Sequence, residues 1–172
     1  MISPRHLQLM ASYNAWQNQS LYTAAEGLER DVLTLDVGAF FGSILSTLNH
    51  ILWADRIWMS RFADIEKPAV GMAGSTTLFD DLEPLAEARS AFDQVIVDWS
   101  NLVSADWLAG PLSWHSGAAG REVSLPAWVC VTHFFNHQTH HRGQVHAMLT
   151  AADAKPDDTD LFLMPGLETA FA

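Results

Sequence analysis

The chain has 172 residues, 49% hydrophobic and 17% charged, the balance of one compact domain (residues 1–172) with a real core rather than of a disordered segment. Its net charge is −11 and its nine Lys and Arg form no run, a poor basis for a phosphate-neutralising surface, so no nucleic-acid partner is expected. The single cysteine, Cys130, rules out an intramolecular disulfide; with no signal-type apolar run at the start and no membrane-length apolar window, a cytoplasmic protein is expected.

Ser3 and Pro4 form a helix start, a capping hydroxyl before a proline in the first turn. Leu7, Met10, Tyr13, Asn14, Gln17, Leu21, Ala24 and Leu28 then recur at spacings of three and four, which predicts a helix ending near Leu28. Residues 31–37 read as a connection. Residues 38–62 read as a second helix, apolar on two faces, with His50 among small neighbours on one of them. The stretch 66–77 holds Pro68, Gly71 and Gly74 and reads as a loop. Leu82, Leu85, Arg89, Phe92, Ile96, Trp99 and Leu102 predict a third helix, on which Arg89 and Asp93 read as a surface pair four residues apart. Residues 107–123 break the helical period: Leu112 and Trp114 alternate with polar neighbours, and Gly117 and Gly120 bracket a turn, so a short β-hairpin is predicted. Ser124 and Pro126 read as the start of a last long helix reaching about Ala154, followed by an acidic tail with one helical turn at 158–163. Four long helices with short or medium links predict an all-α chain, an antiparallel four-helix bundle with a β-hairpin before the last helix.

That last helix carries His133, His137, His140, His141 and His146, five of the eight histidines. Side chains four apart lie one above the other, so His133/His137 and His137/His141 are both candidate metal pairs. All three cannot share one ion: eight residues span roughly 12 Å of helix, against a metal–nitrogen bond of about 2 Å. Spacing leaves the pair open. His50 on the second helix is the natural third ligand, and three protein ligands with open positions is the pattern of a catalytic site. The competing reading is a set of hydrogen-bonded core histidines. Gln144 is a candidate for orienting a ligand, and Cys130 reads as a core residue. Tyr13, Asn14 and Trp16 are candidate pocket-lining residues. No zincin-type base exists, since Gln138 follows His137.

The segment Asn136-His137-Gln138-Thr139-His140-His141-Arg142-Gly143-Gln144 resembles the NHxxHHRGQ signature of the DinB superfamily of metalloenzymes, also called DinB/YfiT-like. Residues 43–58, SILSTLNHILWADRIW, resemble that family's other histidine block, and Tyr13-Asn14-Ala15-Trp16 and Asp160-Leu161 are similar to its ends. The resemblance spans nearly the whole chain. It implies a four-helix bundle with an inserted hairpin and a divalent metal, nickel or zinc. Its three ligands map onto His50, His137 and His141, with Gln144, His133 and His140 as neighbours. It also implies homodimers, and for some relatives a low-molecular-weight thiol cosubstrate such as bacillithiol or mycothiol.

Two functions compete most closely. One is a metal-dependent enzyme acting on a small-molecule substrate, a thiol S-transferase or a hydrolase, whose general base is unassigned, with His133, His140 and Tyr13 as candidates. The other is a non-catalytic metal- or ligand-binding bundle. A bundle of hydrogen-bonded histidines without metal is a third reading.

Overall fold

The computed structural model describes residues 1–117 and 119–170. Helix α1 (Pro4–Glu26) starts as the sequence predicts, with the Ser3 hydroxyl accepting from the His6 amide and Pro4 in the first turn. Residues 31–37 are not a plain connection, because a short helix α2 (Arg30–Thr34) runs into them. The second long helix, α3 (Ile44–Phe62), starts later than residue 38. Gly38 and Gly42 adopt φ of 77° and 79°, the left-handed region that a helix cannot contain and glycine tolerates. The turn is closed by Gly42 N–H to the Ala39 carbonyl and by Gly38 N–H to Asp36 Oδ1. Ser43 then caps α3, its hydroxyl accepting from the Ser46 amide.

The 63–81 link holds one 3-10 turn, Met72–Gly74, and leads into α4 (Leu82–Leu102). A short helix α5 (Ala105–Ala109) takes up Trp107, which the sequence pattern had placed in the hairpin. The hairpin itself is β1 (Pro111–Ser116) against β2 (Arg121–Pro126), antiparallel, with Trp114 opposite Val123. Gly117 and Gly120 flank its turn; Ala118 between them lies outside the described residues. Ser124 does not cap the last helix. It is a strand residue whose hydroxyl accepts from that of Ser113 across the ladder, and α6 (Ala127–Ala151) begins after Pro126. The tail contributes a 3-10 turn at Leu161–Leu163, narrower than the 158–163 expected, and a last turn α7 (Leu167–Ala170).

The four long helices form a ring: α1 packs on α4 and α6, and α3 on α6 and α4. Helices α3 and α6 run antiparallel, since His50 meets His137 and His141 while Trp58, two turns on, meets His133, one turn back. Helices α3 and α4 run the same way: Asp55 meets Arg89, and Phe62 stacks on Trp99. The long 63–81 link is what carries the chain back to allow this. Leu7, Leu48, Leu52, Leu85, Ile96, Phe134, Val145 and Leu149 fill the centre. Among the described residues, no helix is long and apolar enough to cross a membrane.

Within the ring sits a charged cluster that the sequence reading had placed at the surface. Arg89 is 1% exposed. It donates to Asp55 at 2.6 Å and to Asp93 at 2.8 Å, with both carboxylates also buried. Asp93 accepts from Asn14 and Asn18 of α1, and Asn14 in turn accepts from Arg142 of α6. The pair is internal because Arg89 lies on the same stripe as Leu85, Phe92 and Ile96, which faces the core.

Candidate metal centre

Three histidines from two helices converge. One ring nitrogen from each of His50, His137 and His141 lies within 4.8 Å of the other two. His50 comes from the middle of α3, where neighbouring Thr47 and Ala54 are small enough to leave its ring room. His137 and His141 are one turn apart on α6, and their ring centroids stand 4.5 Å apart.

The partners of the rings decide which nitrogens are free. His141 Nδ1 is 2.8 Å from Gln144 Oε1. An amide oxygen only accepts, so Nδ1 carries the hydrogen and Nε2 keeps a lone pair. His50 Nδ1 is 3.0 Å from Ser75 Oγ, whose own hydrogen goes to Met72 Sδ at 3.8 Å. With Nδ1 engaged by Ser75, His50 turns its Nε2 toward the other two rings. That nitrogen faces His137 Nε2 at 3.4 Å. Two nitrogens bound tetrahedrally to one zinc-sized ion, each about 2.0–2.1 Å from it, stand about 3.3 Å apart. The donor set therefore suits a divalent transition metal in its chemistry, and the His50–His137 pair matches one in spacing.

The electrostatics point the same way. Burial, then the neighbouring imidazoles, pushes His137 down to about 3, and burial with His141 pushes His50 down to about 4. His141 is lowered too, by burial first. All three are neutral at pH 7, the form that ligates.

Of the neighbours, Gln144 holds His141 directly. His133 and His140 are exposed; His133 has its ring 5.8 Å from that of His137, and His140 has its ring 4.9 Å from that of His141. The third histidine of the HxxxHxxxH run thus borders the site without entering it. Tyr13 and Asn14 do not line it. Tyr13 donates to the Thr159 carbonyl at 2.6 Å, and Asn14 belongs to the charged cluster on the far side of α6. Trp16 packs on Tyr13 and faces the groove between α1 and α4. Cys130 is a buried core residue, as read from the sequence.

Two contacts escaped sequence reasoning. Ser75 comes from a loop whose glycines signalled only irregular backbone, and nothing in its local pattern marks it as a histidine partner. Phe41 stacks on His50 at 3.9 Å and leans on His141 at 5.2 Å, forming an apolar wall. Its apolar character was visible, but reading it into a helix hid its position.

The DinB family model matches residues 3–168. The chain is 24% identical to Protein DinB of Bacillus subtilis (strain 168) over 160 residues, covering 88% of this chain and 90% of that one. The crystal structure of a DinB-like protein from Bacillus cereus ATCC 10987 superposes with a TM-score of 0.62 at 16% identity, over 83% of this chain and 90% of that one. The shared fold, the histidine blocks and a match over almost the full length together establish that the chain belongs to the DinB family.

Proposed function

We propose that this protein is a divalent-metal-dependent enzyme acting on a small molecule, with His50, His137 and His141 as the ligands and zinc or nickel as the ion. The observation that carries this reading is the convergence of three neutral imidazoles, two of them with Nδ1 already engaged and Nε2 turned inward. A bound ion of this kind supplies Lewis acidity and lowers the pKa of water or of a thiol. The reaction class proposed is thiol S-transfer or hydrolysis, with a low-molecular-weight thiol as cosubstrate in the first case. Gln144 fixes the His141 tautomer, and Ser75 holds the His50 ring in orientation through Nδ1. Phe41 shields one flank from water. His133 and His140, exposed beside the cluster, are the groups placed to exchange a proton with solvent. Homodimerisation and cytoplasmic residence belong to the same proposal, and the mass of the particle in solution tests the first.

Elemental analysis of protein purified without a histidine tag, beside His137→Ala, tests the metal reading. About one equivalent of a transition metal in the parent, absent from the variant, is the expected result. Metal in neither, with no rise in melting temperature on adding Zn²⁺ or Ni²⁺, sinks it. A thiol-plus-electrophile screen with and without chelator then separates an enzyme from a bundle that only binds metal.

A further inference from the structure

Next to the histidines, between α3 and the hairpin, lies a shelf of rings with a guanidinium on it. His133 touches Trp58 with ring centroids 5.0 Å apart, and Trp58 touches Trp114 of β1 at 5.5 Å. The Arg61 guanidinium carbon stands 4.4 Å from the Trp58 ring centroid and 5.4 Å from that of Trp114. The two indoles fix the guanidinium in place by cation–π attraction. Its N–H donors are nonetheless unused: among the described residues, no carboxylate lies within ion-pair distance of Arg61 and no acceptor takes a hydrogen bond from it.

What sets Arg61 apart is its seat on two indoles beside the histidine cluster, since among the described residues Arg56, Arg121 and Arg142 also lack a carboxylate within ion-pair distance. Arg30 has Asp81, and Arg89 has two. Arg61 is half-buried, so its charge is partly removed from water without a counter-charge in return. A half-buried guanidinium seated on two indoles with its donors free is an arrangement that can recognise a carboxylate or phosphate oxygen pair. The antiparallel run of α3 against α6 puts this cation and the metal-ligand cluster on one line. Moving from His137 back to His133 on α6, and across to Trp58 and Arg61 on α3, passes only exposed or half-buried rings.

We propose that Arg61, seated on Trp58 and Trp114, receives the anionic group of a substrate whose reactive end lies at His50, His137 and His141. The substrate class is then a small organic acid with an apolar middle that crosses His133 and Trp58. The inference rests on the metal reading above.

The test uses the full-length, zinc-loaded protein and two probes, the monohydroxamate of suberic acid and its tail amide. Each has a zinc-binding head, and only the first has a carboxylate at the far end. The acid is expected to bind about tenfold more tightly than the amide, the effect of one partly desolvated charge-assisted contact. In Arg61→Gln that ratio falls to about one while the amide binds as before; Arg61→Lys keeps part of it. An acid-to-amide ratio near one in the parent overturns the proposal. So does a loss in Arg61→Gln that strikes both probes equally with a lower melting temperature, which would make Arg61 a latch for the hairpin. If neither probe binds the zinc-treated parent, the metal reading itself has failed, and this inference falls with it.

Discussion

Replacing Arg89 by Met is the most revealing single change to the scaffold. The side chain is buried, and both of its carboxylate partners, Asp55 and Asp93, have side chains under a tenth exposed. Removing the cation leaves two buried carboxylates close together. Burial alone would lower the Arg89 pKa, but Asp93 and then Asp55 outweigh it and hold it raised, so the guanidinium is charged at every accessible pH. Breaking a buried pair from one side costs about 3–5 kcal/mol, whereas an exposed pair of the same spacing costs about 0–1 kcal/mol. For a domain of this size, each kcal/mol moves the midpoint by about 2–4 °C. Urea unfolding of chelated protein at pH 7 is therefore expected to show that loss of about 3–5 kcal/mol, and thermal unfolding a fall of roughly 6–20 °C in the midpoint. Joint replacement of Arg89, Asp55 and Asp93 by apolar residues of similar volume recovers most of it, because the desolvation cost disappears with the charges. A loss below about 1 kcal/mol in Arg89→Met would refute the burial argument and return the pair to the surface.

Three further outcomes are expected. Gln144→Met lowers zinc affinity about 10- to 100-fold, as loss of a ligand's hydrogen-bonded support does, with little change in the melting temperature of chelated protein; competition against a fluorescent zinc indicator measures it. Cys130 has its thiol pushed up by burial, against the opposing pull of Arg61, so the thiolate is scarce at pH 8 and the sulfur inaccessible. A chromogenic disulfide reagent should label it only in denaturant, and rapid native labelling would contradict its place in the core. Zinc added to chelated protein should raise the midpoint by an amount that grows with free ion concentration, as mass action requires, and His137→Ala should abolish the rise.

The long helices were legible because their stripes of Leu, Ile and Phe recur at helical spacing, and the cap at Ser3-Pro4 is a local signal. The errors fall where a local pattern has two physical readings. Gly38 to Gly42 sits before an apolar helix, and periodicity runs through it without registering the positive φ that breaks it. Ser124 and Pro126 have the residue types of a helix start, yet pairing with β1 uses that stretch first. The Arg89–Asp93 spacing describes a helix surface and a helix interior equally well. The deciding clue was available: Arg89 stands in the apolar stripe of α4 and Asp55 in the apolar run of α3, and two opposite charges on facing apolar stripes have each other as partners. The histidine site was half legible. Spacing showed that at most two of His133, His137 and His141 share an ion, the family blocks singled out His137 and His141, and the fold brings His50 to that pair. Ser75 could not be seen, since it arrives through a loop whose path depends on tertiary contacts.

The two polar systems of the bundle share one helix, and that explains how α6 is held at a fixed rotation. Gln138 and Arg142 each follow a site histidine by one residue, so they lie about 100° further round the helix. They face inward where His137 and His141 face α3: Gln138 is fully buried beside Asp55, and Arg142 donates to Asn14 of α1. An apolar stripe alone would tolerate a small rotation of α6, because hydrophobic attraction has no direction. Hydrogen bonds to Arg142 and the charges around Asp55 and Arg89 do not, because their strength falls steeply with angle. The charged core therefore acts less through net stability, which buried ion pairs seldom add, than through the angle at which α6 presents its histidines to His50. A three-point site needs its groups held to a fraction of an ångström, and Arg142, about 100° round the helix from His141, contributes that hold through its hydrogen bond to Asn14.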